Sequence, residues 1–268
     1  MSALTSTTTS RGVLERVYRA FFSPGRYAAK PEDETVLARG ATTRIPFEGG
    51  ELALTTWGDK GPAILLMHGW GGARAQMTGF VDPLLSAGYR VAAYDQPAHG
   101  DSDGRMTNIL EIAPTLDLIR QREGNFDAII AHSFGTLITS YALVERNFPP
   151  PSKLVYFGAF NRLLDSLPRF QVLAGLPDEV IEGLRGMISE NFGRDVLEAI
   201  VNEALVQRIH IPALMFHDRS DSVTPVEDSR AIANAWPEAQ YVETNGLDHR
   251  GALQSQEIHE QIVNFLKG

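Results

Sequence analysis

The chain has 268 residues, 43% of them hydrophobic, which suits one large α/β domain better than two domains of typical size. A formal net charge of −9 argues against nucleic acid as the main partner, and the absence of cysteine excludes disulfides, a thiolate nucleophile and cysteine-bound metals. The sequence contains no apolar run of about 18 residues and no recognisable secretion signal. We therefore expect a cytoplasmic protein without stable membrane insertion.

Residues 1–40 differ in composition from the rest of the chain. Residues 1–30 contain five basic residues against one acidic residue, and the apolar side chains between Gly12 and Phe22 are spaced as one face of a helix. We therefore expect an N-terminal extension, 1–40, with a short amphipathic helix that packs on the main domain or on a second subunit of a homo-oligomer. A membrane-surface or targeting helix is the alternative.

Short apolar strands and amphipathic helices alternate from residue 42 onward, after a predicted hairpin at 42–57. The predicted strands after the hairpin are 63–67, 90–94, 128–131, 153–158, 212–217 and 240–243, and the predicted helices are 74–87, 107–123 (interrupted at Pro114), 136–145, 226–236 and 253–266. Such alternation predicts a mostly parallel central sheet with helices on both faces. In sheets of this kind, functional residues follow the carboxyl ends of the strands.

The end of the third strand after the hairpin carries Ser133 in a sharp turn that leads into a helix. Ala131 and Gly135 lie two positions before and after this serine, and small residues are needed there for strand and helix to approach each other. The pattern indicates a nucleophile, with the backbone N–H of Phe134 directed into the site. His132 is expected to project elsewhere on the turn. An ordinary turn that happens to contain serine is the alternative.

A serine nucleophile needs a base, and the base needs an acid that orients it. The loop after the last predicted strand offers His249, and the loop after the preceding strand offers Asp218 and Asp221. We favour Asp221 as the acid, because Asp218 follows its strand directly whereas Asp221 reaches further over the sheet edge. Asp248 is adjacent in sequence to His249 and is therefore poorly placed to accept a hydrogen bond from its ring.

Several motifs at successive strand ends carry a resemblance to a known family. They are the H-G-W-G-G loop from His68, the D-Q-P-A-H-G-D-S turn from Asp95, the A-H-S-F-G segment around Ser133, the Asp221 to Pro225 segment and the D-H-R segment around His249. In this order they resemble the serine-nucleophile, esterase-like branch of the α/β-hydrolase superfamily, over residues 42–266. Ala131 replaces the usual first glycine of the serine turn, and Asp248 replaces the glycine that often precedes the histidine.

The resemblance implies an α/β-hydrolase fold in which the backbone N–H groups of Trp70 and Phe134 form an oxyanion hole. It implies a hydrolase of small-molecule carboxylic esters that uses Ser133, Asp221 and His249 and needs no cofactor. An acyltransferase, a thioesterase, a carbon–carbon bond hydrolase and a non-catalytic binding module are the alternatives. His68 is expected to order the oxyanion loop, and the histidines show no spacing that predicts a metal site.

Residues 161–210 form a longer excursion than a plain helical crossover requires. Three apolar series within it have helical spacing. Because the excursion leaves a strand at its carboxyl end, we expect a small helical cap at about 161–210 that folds over Ser133, inserted in a domain of residues 41–268. Its apolar faces would form a pocket for a short to medium acyl chain, with Trp70 and Phe160 at the wall. Alternatively, these faces pack on the core and leave the site open.

Overall fold

The structure is a computed structural model that describes residues 10–193 and 196–268. Its strands are β1 (Ala41–Phe47), β2 (Gly50–Trp57), β3 (Ala63–Met67), β4 (Arg90–Tyr94), β5 (Ala128–His132), β6 (Lys153–Phe157), β7 (Ala213–Asp218) and β8 (Ala239–Thr244). They form one sheet in the order β1-β2-β4-β3-β5-β6-β7-β8. β2 pairs antiparallel with β1 and with β4, and the remaining neighbours from β4 to β8 are parallel. The predicted mostly parallel sheet is confirmed.

The helices precede, connect and follow the strands. They are α1 (Arg11–Phe22), α2 (Pro31–Leu37), α3 (Val81–Ser86), α4 (Ile109–Ile112), α5 (Thr115–Glu123), α6 (Phe134–Glu145), α7 (Ser166–Ala174), α8 (Asp178–Phe192), α9 (Val196–Ala199), α10 (Asn202–Val206), α11 (Val226–Ala235), α12 (Asp248–Gly251) and α13 (Gln256–Lys267), with 3₁₀ turns at Arg74–Phe80, Leu163–Asp165 and Ala252–Gln254. The helix predicted at 107–123 is divided into α4 and α5 at Ala113 and Pro114, as expected of proline.

Continuous apolar strands form the centre of the fold. Every residue of β3 and of β5 is buried, as expected for strands covered on both faces. Side chains from β3, β4, β5, β6 and β7 join the 3₁₀ turn 74–80, α3 and α13 in one apolar cluster. The carboxyl ends of the parallel strands are therefore held at one edge of a rigid sheet.

The described residues fall into two compact units. The larger unit contains the whole sheet and consists of residues 24–161 and 201–268, whereas the smaller one contains residues 10–23, 162–193 and 196–200. Within the smaller unit, α1 packs on the helices of the predicted insertion. The Phe21 and Phe170 rings are 5.2 Å apart, and those of Phe22 and Phe192 are 5.6 Å apart. α10 belongs to the larger unit, and the covering of Ser133 by a cap stays a prediction.

Over the described ranges, no helix is both long enough and apolar enough to cross a membrane.

Candidate active site

Ser133 occupies a strained turn between β5 and α6. Its φ of 53° and ψ of −124° lie in a region that non-glycine residues rarely adopt. Its backbone N–H donates to the Phe157 carbonyl at 2.8 Å, which ties the turn to the end of β6. Close packing requires a small residue two positions after the serine, because a Cβ atom at Gly135 would lie 2.6 Å from the His68 carbonyl oxygen. A Cβ atom at Gly69 would lie 2.8 Å from that of Ser133 itself.

The loops after β7 and β8 bring Asp221 and His249 together. His249 Nδ1 is 2.7 Å from Asp221 Oδ2, with side chains 9% and 1% exposed. The other carboxylate oxygen accepts the backbone N–H groups of Val223 and Thr224, both at 2.8 Å. Burial alone would raise the pKa of Asp221, but hydrogen bonds from His217, His249 and the backbone hold it below its ordinary value. The carboxylate is thus kept ionised and aimed at the His249 ring.

This pair lies against the neighbours of the serine turn. A Cβ atom at Gly158, the residue after β6, would lie 3.3 Å from Asp221 Oδ2 and 3.4 Å from His249 Nδ1. Gly158 has a φ of 49°, so both close approach and backbone conformation favour glycine there. Since Ser133 is hydrogen-bonded to Phe157, the acid–base pair and the serine flank the same strand end.

His132 packs on the His249 ring, whereas the sequence predicts that it projects elsewhere on the turn. Its ring centroid is 4.5 Å from that of His249, and its Nε2 is 2.9 Å from the His249 carbonyl oxygen. Because a carbonyl only accepts, Nε2 carries the hydrogen. Burial, and then the nearby charge of His249, lower the pKa of His132 to about 3. His132 therefore stays neutral while it fixes the backbone of His249.

The other two candidate carboxylates have different partners. Asp218 accepts hydrogen bonds from the Thr244 hydroxyl at 2.7 Å, from the backbone N–H groups of Gly246 and Leu247 at 3.1 and 3.0 Å, and from Ser220. It thereby joins the loops after β7 and β8. Asp248 accepts from the N–H groups of Arg250 and Gly251 within its own short helix. Of the three aspartates, the structure brings Asp221 to the His249 ring.

Trp70 lies at the corner of a tight turn between β3 and the 3₁₀ turn 74–80. The Gly72 N–H closes this turn on the Gly69 carbonyl at 3.0 Å, and Gly71 has a φ of 68°. His68 orders the turn from below, donating from Nδ1 to the Gly69 carbonyl at 2.8 Å and accepting the backbone N–H of Gln96 at Nε2. Burial lowers the pKa of His68 to about 4, so the ring remains neutral in these roles.

The 3₁₀ turn after this loop is anchored by a buried arginine. The guanidinium of Arg74 binds Asp95, Asp101 at 2.8 Å and the Thr55 hydroxyl at 2.9 Å. Its side chain is only 7% exposed, and that of Asp95 is fully buried. The H-G-W-G-G loop and the turn that begins at Asp95 are therefore locked together.

Aromatic rings surround the start of α6. The Trp70 and Phe134 rings are 5.6 Å apart and nearly perpendicular, and the Phe134 and Phe160 rings have the same separation and a similar angle. Phe134 is the first residue of α6, where backbone N–H groups have no intrahelical acceptor. Trp70, Phe134 and Phe160, which the sequence predicts at the oxyanion hole and at the pocket wall, therefore lie in one apolar cluster next to Ser133.

His217 is a residue near the site for which the sequence predicts no role. It is buried at the end of β7, and its Nε2 lies 3.3 Å from Asp221 Oδ2. No local pattern identifies this contact, because it depends on where the buried ring points after folding. Within residues 10–193 and 196–268, no three His, Asp or Glu side chains come close enough together to hold a metal ion.

A strained serine turn and a His–Asp pair at the carboxyl edge of a mostly parallel sheet define an α/β-hydrolase class of protein. The sequence profile of the alpha/beta hydrolase family matches residues 64–260. The chain therefore belongs to this family, and the predicted superfamily is confirmed.

Solved structures share the fold at low sequence identity. An esterase from Pyrococcus furiosus superposes with a TM-score of 0.69 at 19% identity, over 92% of this chain and 97% of its own. An esterase from Exiguobacterium antarcticum gives 0.66 at 18% identity, over 85% of this chain and 100% of its own. A bromoperoxidase from Bacillus anthracis gives 0.65 at 16% identity, also over 85% and 100%. At these identities, the likeness concerns the fold.

Proposed function

We propose that the protein is a serine hydrolase that cleaves carboxylic esters of short to medium acyl chain through an acyl-enzyme. The observation that carries this proposal is the 2.7 Å contact between His249 and Asp221, held against the strand end to which the Ser133 backbone is hydrogen-bonded. A histidine oriented by a buried carboxylate is the arrangement that activates a serine hydroxyl.

In the proposed reaction, the Ser133 hydroxyl attacks the ester carbonyl while His249 takes its proton. Asp221 holds the imidazole in place and stabilises its charged form. The backbone N–H groups of Trp70 and Phe134 donate to the oxyanion of the tetrahedral intermediate. His249 then delivers the proton to the leaving alcohol, which departs as the acyl-enzyme forms. Water deprotonated by His249 attacks this ester, and the carboxylic acid is released as Ser133 regains its proton.

The substrate class rests on the aromatic cluster of Trp70, Phe134 and Phe160. Apolar rings beside the nucleophile favour an acyl chain or ring, and they offer no charged partner for an ionic substrate. Two of the structures that share the fold are named as esterases, which supports ester hydrolysis over the other chemistries of this fold. The limit to a short or medium acyl chain rests on the cap predicted at about 161–210, whose covering of Ser133 stays a prediction.

The test is a substrate panel with matched serine variants. p-Nitrophenyl esters from acetate to palmitate, aryl thioesters and lactones are offered to the wild type, to Ser133→Ala and to Ser152→Ala. Ser152 precedes β6 at the opposite end of the strand and serves as the control. We expect acetate to octanoate to be cleaved best, with a loss of at least about 10³-fold in Ser133→Ala only. Equal turnover by the two variants would refute the serine mechanism.

A further inference from the structure

A buried histidine outside the proposed triad touches its acid. His217, the fifth residue of β7, is 1% exposed and lies between Asp221 and α11. Its Nε2 is 2.9 Å from the Thr224 carbonyl oxygen and 3.3 Å from Asp221 Oδ2, the same oxygen that contacts His249. Two imidazole rings therefore converge on one carboxylate oxygen.

The neighbours of His217 determine which ring nitrogen carries the hydrogen. Since the Thr224 carbonyl only accepts, Nε2 must be the donor. On the opposite side, the Ser229 hydroxyl lies 2.7 Å from Nδ1 and accepts the Ala159 backbone N–H at 3.1 Å. The hydroxyl hydrogen is thus available to Nδ1, which in a neutral ring is the acceptor. These contacts fix the tautomer with the hydrogen on Nε2, which donates to the Thr224 carbonyl at 2.9 Å and also faces Asp221 Oδ2 at 3.3 Å.

We propose that His217 is a positioning residue that holds the Asp221 carboxylate in the orientation in which it accepts from His249. The inference rests on the proposed function. The Nε2–H of His217, shared between the Thr224 carbonyl and Oδ2, restricts rotation of the carboxylate and moderates the pull of Asp221 on the His249 proton. His132 from β5 interacts electrostatically with both His249 and Asp221, and Arg250 from α12 in turn acts on His132.

Loss of the His217 N–H should change both the rate and its pH dependence, because this group orients the Asp221 carboxylate and moderates its pull on the His249 proton. In His217→Phe, kcat should fall at least about tenfold because Asp221 is less well oriented. The freed carboxylate should attract the His249 proton more strongly, so the acid limb of the kcat/KM profile should move to higher pH by about half a unit or more. A residue that only fills space would lower the melting temperature without moving this limb.

The experiment measures kcat/KM for p-nitrophenyl butyrate between pH 4.5 and 9, together with the melting temperature, for three variants. His217→Phe removes both ring nitrogens, His217→Gln retains an N–H donor of similar reach, and Ser229→Ala removes the hydroxyl beside Nδ1, which also accepts the Ala159 backbone N–H. We expect His217→Gln to approach the wild-type acid limb and Ser229→Ala to fall between the wild type and His217→Phe. If His217→Phe does not fold, the acid limbs of His217→Gln and Ser229→Ala can still be compared, and that of Ser229→Ala should lie at the higher pH.

An acid limb that is unchanged in His217→Phe and in Ser229→Ala, in folded protein, would overturn this inference alone. A wild type that hydrolyses no ester would overturn the proposed function and the inference together. Loss of activity with an unmoved limb and a lowered melting temperature would reduce His217 to a packing residue, and would also overturn the inference.

Discussion

At the scale of single residues, three aspartates lie near His249 with different partners. Asp221 contacts the ring, Asp218 accepts hydrogen bonds from both loops, and Asp248 accepts from its own helix. We expect Asp221→Asn to lower kcat by at least about a hundredfold with a smaller change in melting temperature than Asp218→Asn, because the Asn amide oxygen can still accept the Val223 and Thr224 N–H groups while the His249 ring loses its charged acceptor. The measurement is kcat and melting temperature for the three Asn variants.

Asp218→Asn should show the converse pattern, a clear loss of stability with a smaller loss of kcat. Hydrogen bonds from Ser220 and Thr244 and from the backbone hold the pKa of Asp218 below its ordinary value although burial opposes this, so an uncharged amide removes charged acceptors. Asp248→Asn should change both quantities least. If Asp221→Asn gave the smallest loss of kcat among the three, the assignment of the acid would be wrong.

Ser133 and His249 could be proposed from the sequence because each follows a strand within a short motif. Asp221 could be proposed from its distance along the loop, and its roles with Ser133 and His249 stay predictions. The roles of His132 and His217 were not predictable in this way, because they depend on where a buried ring points after folding. His132 bonds a carbonyl in a loop more than a hundred positions away in sequence, and no local pattern encodes that contact.

At the scale of elements, two glycines in α8 offer a matched test of how α1 packs. A Cβ atom at Gly183 would lie 2.6 Å from a methyl carbon of Leu14 in α1, whereas one at Gly186 would meet nothing within 4 Å. Gly186→Ala should stabilise the protein by about 0.5–1 kcal/mol through helix propensity. Gly183→Ala should gain less or lose stability, because Leu14 must move, and thermal unfolding of both variants measures the difference.

Leu14→Ala provides the control for this pair. In its background the obstacle at residue 183 is gone, so Gly183→Ala and Gly186→Ala should become nearly equal in their effect on the melting temperature. Equal effects of the two glycine variants in the wild-type background would show that α1 does not pack closely on α8.

The strands were predictable to within about one residue, because buried parallel strands are continuous apolar runs with sharp ends. The helix predicted at 74–87 differs, since residues 74–80 form a 3₁₀ turn and only 81–86 are α-helical. Nearly all residues of that turn are buried, so it lacks the polar face from which helical periodicity is judged. The anchoring of Arg74 on Asp95 is a tertiary contact that no local pattern reports.

At the scale of the whole molecule, three buried histidines should make stability depend on pH. Burial lowers the pKa values of His68, His99 and His132 from 6.5 to about 4, 3 and 3. The folded state therefore binds fewer protons than the unfolded state between these values and 6.5. Their stabilising contribution is complete above pH 6.5 and falls as the pH is lowered toward 4, by up to about 1.4 kcal/mol per pH unit for each ring.

Urea unfolding at a series of pH values from 7.5 to 4.5 measures this slope. His99→Asn retains a donor near the Pro97 carbonyl and should reduce the slope. A free energy of unfolding that stays constant between pH 6.5 and 4.5 would contradict the neutral state assigned to the buried rings.

The association of α1 with helices of residues 162–200 was also beyond sequence reasoning. Hydrophobic periodicity shows that a helix has an apolar face, but it does not show which part of the protein that face packs against. The resemblance of five strand-end motifs nevertheless sufficed for the fold, because each motif is tied to a fixed place on the sheet.

The central claim is that Ser133 is a nucleophile activated by His249, and stoichiometric labelling by a fluorophosphonate tests it most directly. Intact mass and peptide mapping should show one equivalent on Ser133 in the wild type and in Ser152→Ala. Labelling should be absent in Ser133→Ala and at least about 10³-fold slower in His249→Ala, because the hydroxyl then lacks its base. A wild type that takes no label, or takes it on a residue other than Ser133, would contradict the claim.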